Sequence, residues 1–255
     1  MPLDTPRLPL DEQVAALNDR YRHHSATDVL EHALFDAAVG NLALVSSFGA
    51  ESVVLLHLVS GISPGTPVLF IDTRMLFDET LAYQRDLAAS LNLTDIRIIR
   101  ADRRDIDRHD ADATLNRSKP DACCALRKIV PLERALEHFD GWITGRKRFQ
   151  AGARTNLEFF ENEDNRRIKV NPLAHWRAGD IEDYIANNRL PRHPLVAKGY
   201  PSIGCAPCTS PVKGNEDPRA GRWRGSGKQE CGIHFSNGRL IRSTQPQDPL
   251  KETAT

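Results

Sequence analysis

The chain contains five cysteines, and four of them form two closely spaced pairs. Cys123 and Cys124 are adjacent, while Cys205 and Cys208 are separated by an alanine and a proline. Neighbouring Cα atoms lie about 3.8 Å apart, which is shorter than the usual separation across a disulfide, so a bond between Cys123 and Cys124 would be strained. The four thiols instead form a complete ligand set for one inorganic centre.

The adjacency of Cys123 and Cys124 favours a cluster over a single metal ion. Neighbouring residues on a helix point about 100° apart, which crowds the tetrahedral shell of one zinc ion. In a four-iron cluster each thiolate binds a different iron, so splayed sulfurs can each reach a corner. We therefore expect an iron–sulfur cluster, with a structural zinc or unrelated buried thiols as the alternatives.

Composition argues against several classes of function. The 255 residues carry 34 Lys and Arg against 34 Asp and Glu, so no overall basic field indicates nucleic-acid binding. No apolar run approaches the roughly 20 residues of a membrane span, and the N-terminus lacks the order of a signal peptide. We expect a cytoplasmic protein, in which the five cysteines indicate metal binding and catalysis rather than a disulfide framework.

An anion site is predicted early in the chain. Residues 42–45 form a predicted strand, residues 46–52 a turn of mostly small residues, and residues 53–59 a helix. The N–H groups of such a turn and of the helix N-terminus can hold a phosphate, and the serine hydroxyls add donors. The turn matches neither the dinucleotide-binding nor the Walker pattern, so an ordinary strand–helix connection is the alternative.

Further buried strands are predicted at residues 68–71, 95–99 and 142–145. In open parallel sheets ligands lie beyond the carboxyl ends of the strands. We therefore expect Asp72 and Arg74, which follow the first of these strands, to face the same crevice as the serine-rich turn. Four cations that suit a dianion follow the last strand: Arg146, Lys147, Arg148 and Arg154.

Helices are predicted for two segments within residues 11–38, for residues 77–90, and for residues 120–139. Residues 101–119 are strongly charged, so we expect a solvated loop there in which Asp110 has no function beyond covering the site. The chain then divides into N-terminal helices (1–40), an α/β domain with the cysteine site (41–210) and a mobile, glycine-rich basic tail (211–255).

Several separated motifs are similar to those of one enzyme family. They are Ser46-Ser-Phe-Gly-Ala-Glu-Ser52, Ile71-Asp-Thr-Arg74, Cys123-Cys124 with Arg127-Lys128, Cys205-x-x-Cys208, Arg219-Ala-Gly-Arg-Trp223 and Glu230-Cys-Gly-Ile-His234. On these motifs the chain resembles the assimilatory adenylyl-sulfate reductases, relatives of the phosphoadenylyl-sulfate reductases, from about Leu42 to Phe235. The resemblance implies a Rossmann-like, adenine-nucleotide α-hydrolase-like α/β fold, with a parallel sheet flanked by helices and a flexible C-terminal tail.

The resemblance also implies roles for individual residues. Cys231 would be the nucleophile, assisted by Lys128 and His234. The implied ligands of a [4Fe–4S] cluster are Cys123, Cys124, Cys205 and Cys208. The implied substrate contacts are Ser46, Ser47, Phe48, Gly49, Ala50, Glu51, Ser52, Asp72, Arg74, Arg154, Arg219 and Arg222. Between Gly145 and Arg154 the sequence departs from the family's pattern, which leaves open the arginine of this segment that contacts substrate.

The implied reaction is the reduction of adenosine 5′-phosphosulfate to sulfite and AMP in assimilatory sulfate reduction. Cys231 would attack the sulfur and become S-sulfonated, and because the other four cysteines are committed to the cluster, a thioredoxin or glutaredoxin-type dithiol would release sulfite. Lys128, four residues after Cys124, would link the cluster's charge to the sulfate.

Other functions stay open at this point. They are reduction of the 3′-phosphorylated nucleotide or of both nucleotides, a pyrophosphate-loop tRNA sulfurtransferase, and a non-catalytic nucleotide-binding protein with a four-cysteine zinc site. The sequence leaves a homo-oligomer open as well.

Overall fold

The structure is a computed structural model that describes residues 8–150, 154–225, 228, 232, 235–236 and 239–240. The strands are β1 (Leu42–Ser46), β2 (Val68–Ile71), β3 (Ile96–Ile99), β4 (Gly141–Ile143), β5 (Phe160–Glu163), β6 (Arg167–Val170), β7 (Phe235–Ser236) and β8 (Arg239–Leu240). The α-helices are α1 (Leu10–Tyr21), α2 (Ala26–Phe35), α3 (Ser52–Ile62), α4 (Asp78–Ser90), α5 (Arg103–His109), α6 (Leu115–Ser118), α7 (Pro120–Cys124), α8 (Val130–Leu136) and α9 (Ala178–Asn187).

Six strands form one sheet in the order β3-β2-β1-β4-β6-β5. All neighbouring pairs are parallel except β5 and β6, which are antiparallel at one edge. The chain moves outward from β1 to β3 and then returns to place β4 on the other side of β1, so the carboxyl ends of β1 and β4 flank a topological switch point. The predicted parallel α/β fold is confirmed.

Both faces of the sheet are covered by helices, because side chains alternate between the faces of each strand. On β1, Leu44 packs into the larger core with the apolar residues of α1, α2, α3 and α9. Its neighbour Ala43 lies on the opposite face, where Leu132 and Leu136 of α8 cover Trp142. Packing on both faces therefore fixes the positions of the carboxyl ends of the strands.

The N-terminal helices belong to this core. Val14, Leu17 and Tyr21 of α1 are buried in it, as are residues of α2. Asn18 pairs with edge strand β5 through two hydrogen bonds, since its Nδ2 donates to the carbonyl of Phe160 (2.8 Å) and its Oδ1 accepts from the N–H of Phe160 (2.9 Å). Helix α1 therefore satisfies backbone groups that an open sheet edge would expose.

The prediction of a loop at residues 101–119 is wrong. This segment contains α5 and α6, and Asp102 caps α5 by accepting a 2.7 Å hydrogen bond from the N–H of Arg104. Helix α5 buries none of its residues, so it carries no hydrophobic pattern that sequence analysis could detect. Asp110 is not solvated, because its side chain is fully buried.

The helical run predicted from Pro120 is confirmed as far as Leu136, but it is not a uniform α-helix. A π-helical turn, Ala125–Ile129, separates α7 from α8. Such turns insert an extra residue into a helix and often occur at functional sites. Cys123 and Cys124 precede this turn, while Arg127 and Lys128 lie within it.

The first part of the predicted tail packs back onto the Cys205–Cys208 segment. The N–H of Ser210 donates to the carbonyl of Gly221 (2.9 Å), and the N–H of Trp223 donates to the carbonyl of Cys208 (2.9 Å). The Trp223 side chain is buried. Gly221 and Trp223, which the sequence analysis places in the mobile tail, therefore pack against the cysteine segment. In the described part of the chain, no helix has the length and apolar character of a membrane span.

Candidate functional site

A cavity of about 280 Å³ lies at the carboxyl ends of β1 and β4. Its walls come from the turn after β1, the segment after β4, and two later segments that contain Cys205 and Arg222. We call it the main cavity. Its position is the one that parallel sheets use for ligands, as the sequence analysis expects.

The turn after β1 forms one wall through backbone and small polar groups. Ser52 Oγ accepts a 2.9 Å hydrogen bond from the N–H of Gly49, and Ser46 Oγ accepts one of 3.2 Å from the N–H of Phe48. Six of the seven predicted residues line the main cavity: Ser46, Ser47, Gly49, Ala50, Glu51 and Ser52.

Phe48, the seventh residue of the turn, does not line the main cavity. Its side chain is fully buried and packs edge to face on Phe70, with ring centroids 5.3 Å apart. Its φ of 48° lies in the left-handed region, which is uncommon for a bulky residue. Phe48 therefore anchors the turn to the core instead of contacting a ligand in this cavity.

Asp72 and Arg74 do not face the main cavity, contrary to the sequence-based expectation. The Asp72 carboxylate accepts a 2.8 Å hydrogen bond from Arg100 Nε and another of 2.8 Å from the N–H of Arg74. Arg74 itself is exposed, with φ at 59°. Asp72 thus caps the end of β2 and forms an ion pair with Arg100. In sequence, an aspartate with this role looks the same as one that contacts a ligand. Thr73, between them, does line the cavity.

Positive charge dominates the lining of the main cavity. The basic residues that line it are Lys128, Arg146, Lys147, Arg154, Arg219 and Arg222, against the acidic Glu51 and Asp217. Arg146 is held from behind by Glu161 and Asn171. Arg148 turns outward to Glu158 (2.9 Å) and the carbonyl of Leu157 (2.6 Å). Of the three candidate arginines in this segment, Arg146 and Arg154 therefore reach the cavity and Arg148 does not.

Lys147 is more deeply buried than Arg146 or Arg154, and it forms an ion pair with Glu51. Its Nζ lies 2.5 Å from Glu51 Oε2, and its side chain is 4% exposed. Burial lowers the pKa of Lys147, and the positive charges of Arg154 and Arg219 act in the same direction, while Glu51 opposes the shift. Gln150 extends the contact, since its Nε2 donates to Glu51 Oε2 (3.3 Å) and its Oε1 accepts from Arg154.

A second, smaller cavity contains the four predicted metal ligands. Cys123, Cys124 and Cys205 are buried, Cys208 is half-buried, and all four are free thiols that line this thiol cavity. The Cys205 segment is fixed to the end of β2 by a hydrogen bond from the N–H of Ala206 to the carbonyl of Met75 (2.8 Å). Two segments that lie about 80 residues apart in sequence thus bring their thiols to one place, as predicted.

The environments of the four thiols differ. Burial, with Cys124 nearby, raises the pKa of Cys123 to about 12, and burial also raises the pKa of Cys208. Burial opposes ionisation of Cys205 too, but the Lys128 ammonium and a 3.2 Å contact with Thr73 Oγ1 bring its pKa below the ordinary value. Lys128 therefore forms a hydrogen bond with Cys205. The sequence analysis places Lys128 on the same helix face as Cys124, but its contact extends to the second cysteine pair.

The two cavities share a wall, which consists of Thr73, Lys128, Cys205 and Trp223. Trp223 adopts φ of 49°, and the Arg222 guanidinium lies over its ring, 4.5 Å from the centroid. Arg222 also donates to the carbonyl of Ile203 (3.2 Å). A ligand in the main cavity would thus touch residues that also contact the thiols.

Comparison with known proteins identifies this arrangement. The family model of the phosphoadenosine phosphosulfate reductase domain matches residues 41–211. The chain belongs to this family. Its curated relatives are named adenosine 5′-phosphosulfate reductases, so the protein is an oxidoreductase.

Curated relatives within the phosphoadenosine phosphosulfate reductase family are similar over most of their length. The chain is 46% identical to an adenosine 5′-phosphosulfate reductase of Mesorhizobium japonicum, covering 88% of each protein. It is 44% identical to a protein of the same name from Chelativorans sp., covering 89% of this chain and 94% of the relative.

Solved structures agree on the fold. A phosphoadenylyl-sulfate reductase from Candida auris, solved as a phosphate complex, superposes with a TM-score of 0.66 at 28% identity, covering 79% of this chain and 97% of the other. An FMN adenylyltransferase of Candida glabrata shares the fold alone, with a TM-score of 0.52 at 17% identity, covering 81% of this chain and 75% of the other.

Two predicted residues of this family member, Cys231 and His234, lie outside the described residues. Thr73 and Arg127 line the cavities although the sequence analysis gives them no individual role, and Arg146 and Lys147, predicted only as members of a group of cations, line the main cavity. Arg127 stands beside Lys128 in the motif that follows Cys124, but its burial could not be inferred from that position. Arg146 and Lys147 were visible as a group of cations after β4, without a signal to say which ones point inward.

Proposed function

We propose that the protein reduces adenosine 5′-phosphosulfate to sulfite and AMP in assimilatory sulfate reduction. The observation that carries the proposal is the shared wall, which sets four clustered thiols directly beside a cation-lined cavity at the switch point of the sheet. The names of the curated relatives support the same substrate.

The main cavity suits a nucleotide phosphosulfate. The turn after β1 and the N-terminus of α3 offer backbone N–H groups to a phosphate. Arg154, Arg219 and Arg222 add positive charge, and Lys128 stands at the thiol side, where the sulfate of a bound substrate would lie. Anions are held well by such groups because the charges are fixed before binding.

The thiol cavity suits a [4Fe–4S] cluster better than one zinc ion. Adjacent cysteines on one helix point about 100° apart, so the thiolates of Cys123 and Cys124 suit the separate irons of a cluster better than the shell of one ion. Cys123, Cys124, Cys205 and Cys208 line one cavity, with the cations Arg127 and Lys128 beside them to balance thiolate charge. When bound, the cluster would supply a compact charged centre next to the sulfate site, and we assign it no electron transfer.

The reaction needs a thiolate nucleophile, which we propose is Cys231. Its Sγ would form a bond to the sulfate sulfur while the bond from that sulfur to the AMP phosphate oxygen breaks, and AMP leaves with the electron pair. A thioredoxin-type dithiol would then attack Cys231 Sγ, and sulfite would leave with the electrons of the S–S bond. The second thiol of the reductant would resolve the mixed disulfide, so the dithiol provides both electrons. We place this chemistry in the cytoplasm, where such dithiols are kept reduced.

The 3′-phosphorylated nucleotide is the second candidate substrate, favoured by the similarity to the Candida auris reductase. Sulfite formation measured with both nucleotides distinguishes the two. We expect a much higher kcat/KM for adenosine 5′-phosphosulfate, and equal values would reject the proposed specificity.

The proposed nucleophile is tested with the Cys231→Ser variant and by mass spectrometry. The variant should keep nucleotide binding and iron but lose sulfite production. Wild-type protein mixed with substrate and no reductant should gain a sulfonate on the peptide that contains Cys231, and a thioredoxin-type dithiol should remove it. A sulfonate on any other cysteine, or turnover by the variant, would show that Cys231 is not the nucleophile.

A further inference from the structure

Asp110 and Arg127 form a buried ion pair behind the thiol cavity. The Asp110 side chain is fully buried and that of Arg127 is 5% exposed. Asp110 lies in the connection between α5 and α6, whereas Arg127 lies in the π-helical turn. A charged pair at this depth is stable only if its hydrogen bonds are satisfied, because both charges have lost their water.

The hydrogen bonds of this pair fix the guanidinium in one orientation. Asp110 Oδ2 accepts from Nε (3.0 Å) and Nη2 (2.6 Å) of Arg127, and Oδ1 accepts from the N–H of Leu115 (2.8 Å). Arg127 Nη1 donates to the carbonyl of Thr73 (3.0 Å). Both carboxylate oxygens are therefore engaged, and the arginine bridges two separate segments of the chain.

Arg127 presents its positive charge to the thiols. It lines the thiol cavity together with Cys123 and Cys124. The residue that it holds, Thr73, contacts Cys205 Sγ through its hydroxyl at 3.2 Å. A single guanidinium thus acts directly on one cysteine pair and, through Thr73, on the other.

We propose that Asp110 is a positioning residue for the metal centre, which it serves by holding Arg127 against the thiol cavity. The inference rests on the proposed cluster. An asparagine at position 110 would have no charge to balance Arg127, and its amide would present a donor to either the guanidinium or the N–H of Leu115. The guanidinium would then lose the hydrogen bonds that fix its orientation, and the anionic centre would lose a counter-charge held in one place.

The test is the rate at which a ferrous chelator removes iron from anaerobically purified protein, followed by visible absorbance. Asp110→Asn should lose iron about tenfold faster than wild type, with an unchanged circular dichroism spectrum. Asp95→Asn is the matched control, since Asp95 pairs with Arg97 at 2.6 Å on the surface, and it should behave as wild type.

A double mutant separates positioning from a general loss of stability. If Asp110 acts through Arg127, Asp110→Asn should add little to the rate already found for Arg127→Met. If Asp110→Asn fails to fold, Arg127→Lys replaces it in the test. This variant keeps the positive charge but cannot form the two guanidinium hydrogen bonds to Asp110, so it should lose iron faster than wild type.

The possible contrary outcomes are distinguishable. The inference alone is overturned if Asp110→Asn, or Arg127→Lys where that variant is needed, loses iron at the wild-type rate. It is also overturned if the effects of Asp110→Asn and Arg127→Met simply add. A wild-type protein without iron would overturn it together with the proposed cofactor.

Discussion

Lys147 and Glu51 form an ion pair of 2.5 Å that joins the segment after β4 to the turn after β1. These two segments flank the switch point of the sheet, so the pair ties together opposite walls of the main cavity. Glu51 belongs to the motif that the resemblance assigns to substrate binding. In the structure its carboxylate serves as the counter-ion of a buried lysine.

Glu51→Gln should raise KM for adenosine 5′-phosphosulfate by about tenfold with a smaller change in kcat, because Lys147 and Gln150 lose the group that aligns them with Arg154. Steady-state sulfite formation measures this. Glu158→Gln is the control, since its partner Arg148 lies outside the main cavity. Equal KM values in both variants would contradict the role of the pair.

Gly204→Ala should displace Arg222 without unfolding the protein. A Cβ at position 204 would overlap the Arg222 guanidinium, which is the end of a flexible side chain and can move away. We expect a melting temperature within about 2 °C of wild type and a KM raised about tenfold. Gly179→Ala serves for comparison, because a Cβ there meets nothing within 4 Å. An unchanged KM would mean that Arg222 does not contact the substrate.

Stability should fall in acid because of His193. Its Nδ1 accepts from the N–H of Leu195 (3.1 Å) and its Nε2 lies 3.0 Å from Thr80 Oγ1, which together require a neutral ring. Burial lowers its pKa from 6.5 to about 4, with Glu79 opposing the shift. The unfolded chain therefore binds a proton that the folded protein excludes between these values, and stability is lost as pH falls from 6.5 to 4.

Urea unfolding at pH 7 and pH 4 measures this contribution. After allowance for solvent screening we expect about 2 kcal/mol of the loss to come from His193. His193→Asn keeps an acceptor for the N–H of Leu195 but does not titrate, so its loss over the same range should be smaller by that amount. A variant with the full pH dependence of wild type would assign the effect to other groups.

Cys208→Ser should abolish stoichiometric iron binding, because it removes one of the four thiols that line the thiol cavity. Iron per chain, measured anaerobically, should be about four in wild type and in Cys231→Ser. Stoichiometric zinc in place of iron would favour the alternative centre, and activity should disappear together with the iron.

The strands that could be predicted from the sequence are those that consist mainly of apolar residues. Strands β1 to β4 were located because they are short hydrophobic runs between polar turns. Strands β5 and β6 are not among the predicted strands. They carry Glu163, Arg167 and Lys169, which are buried because Lys169 Nζ and Arg167 Nε pair with Glu163 at 2.9 Å and 3.1 Å. Such mutual compensation is invisible to a hydrophobicity pattern.

The same limit applies to the site. The turn after β1 was predicted from its position between a buried strand and a helix, and the four thiols were predicted from their close spacing in two pairs. Asp72 and Asp110 were interpreted wrongly because an aspartate in a loop has the same sequence signal whether it is solvated, caps a strand or pairs with a buried arginine. Only the three-dimensional neighbours, Arg100 and Arg127, distinguish these cases.

The π-helical turn Ala125–Ile129 changes the direction in which Cys123 and Cys124 point relative to the core residues of α8. An extra residue rotates everything beyond it by about 100° relative to a continuous α-helix. The helix can therefore direct Cys123 and Cys124 to the thiol cavity while Leu132 and Leu136 face the sheet. Deleting one residue from this turn would give a more regular helix in which either the thiols or the leucines lose their partners, so the length of this turn is constrained as well as the identity of Arg127 and Lys128.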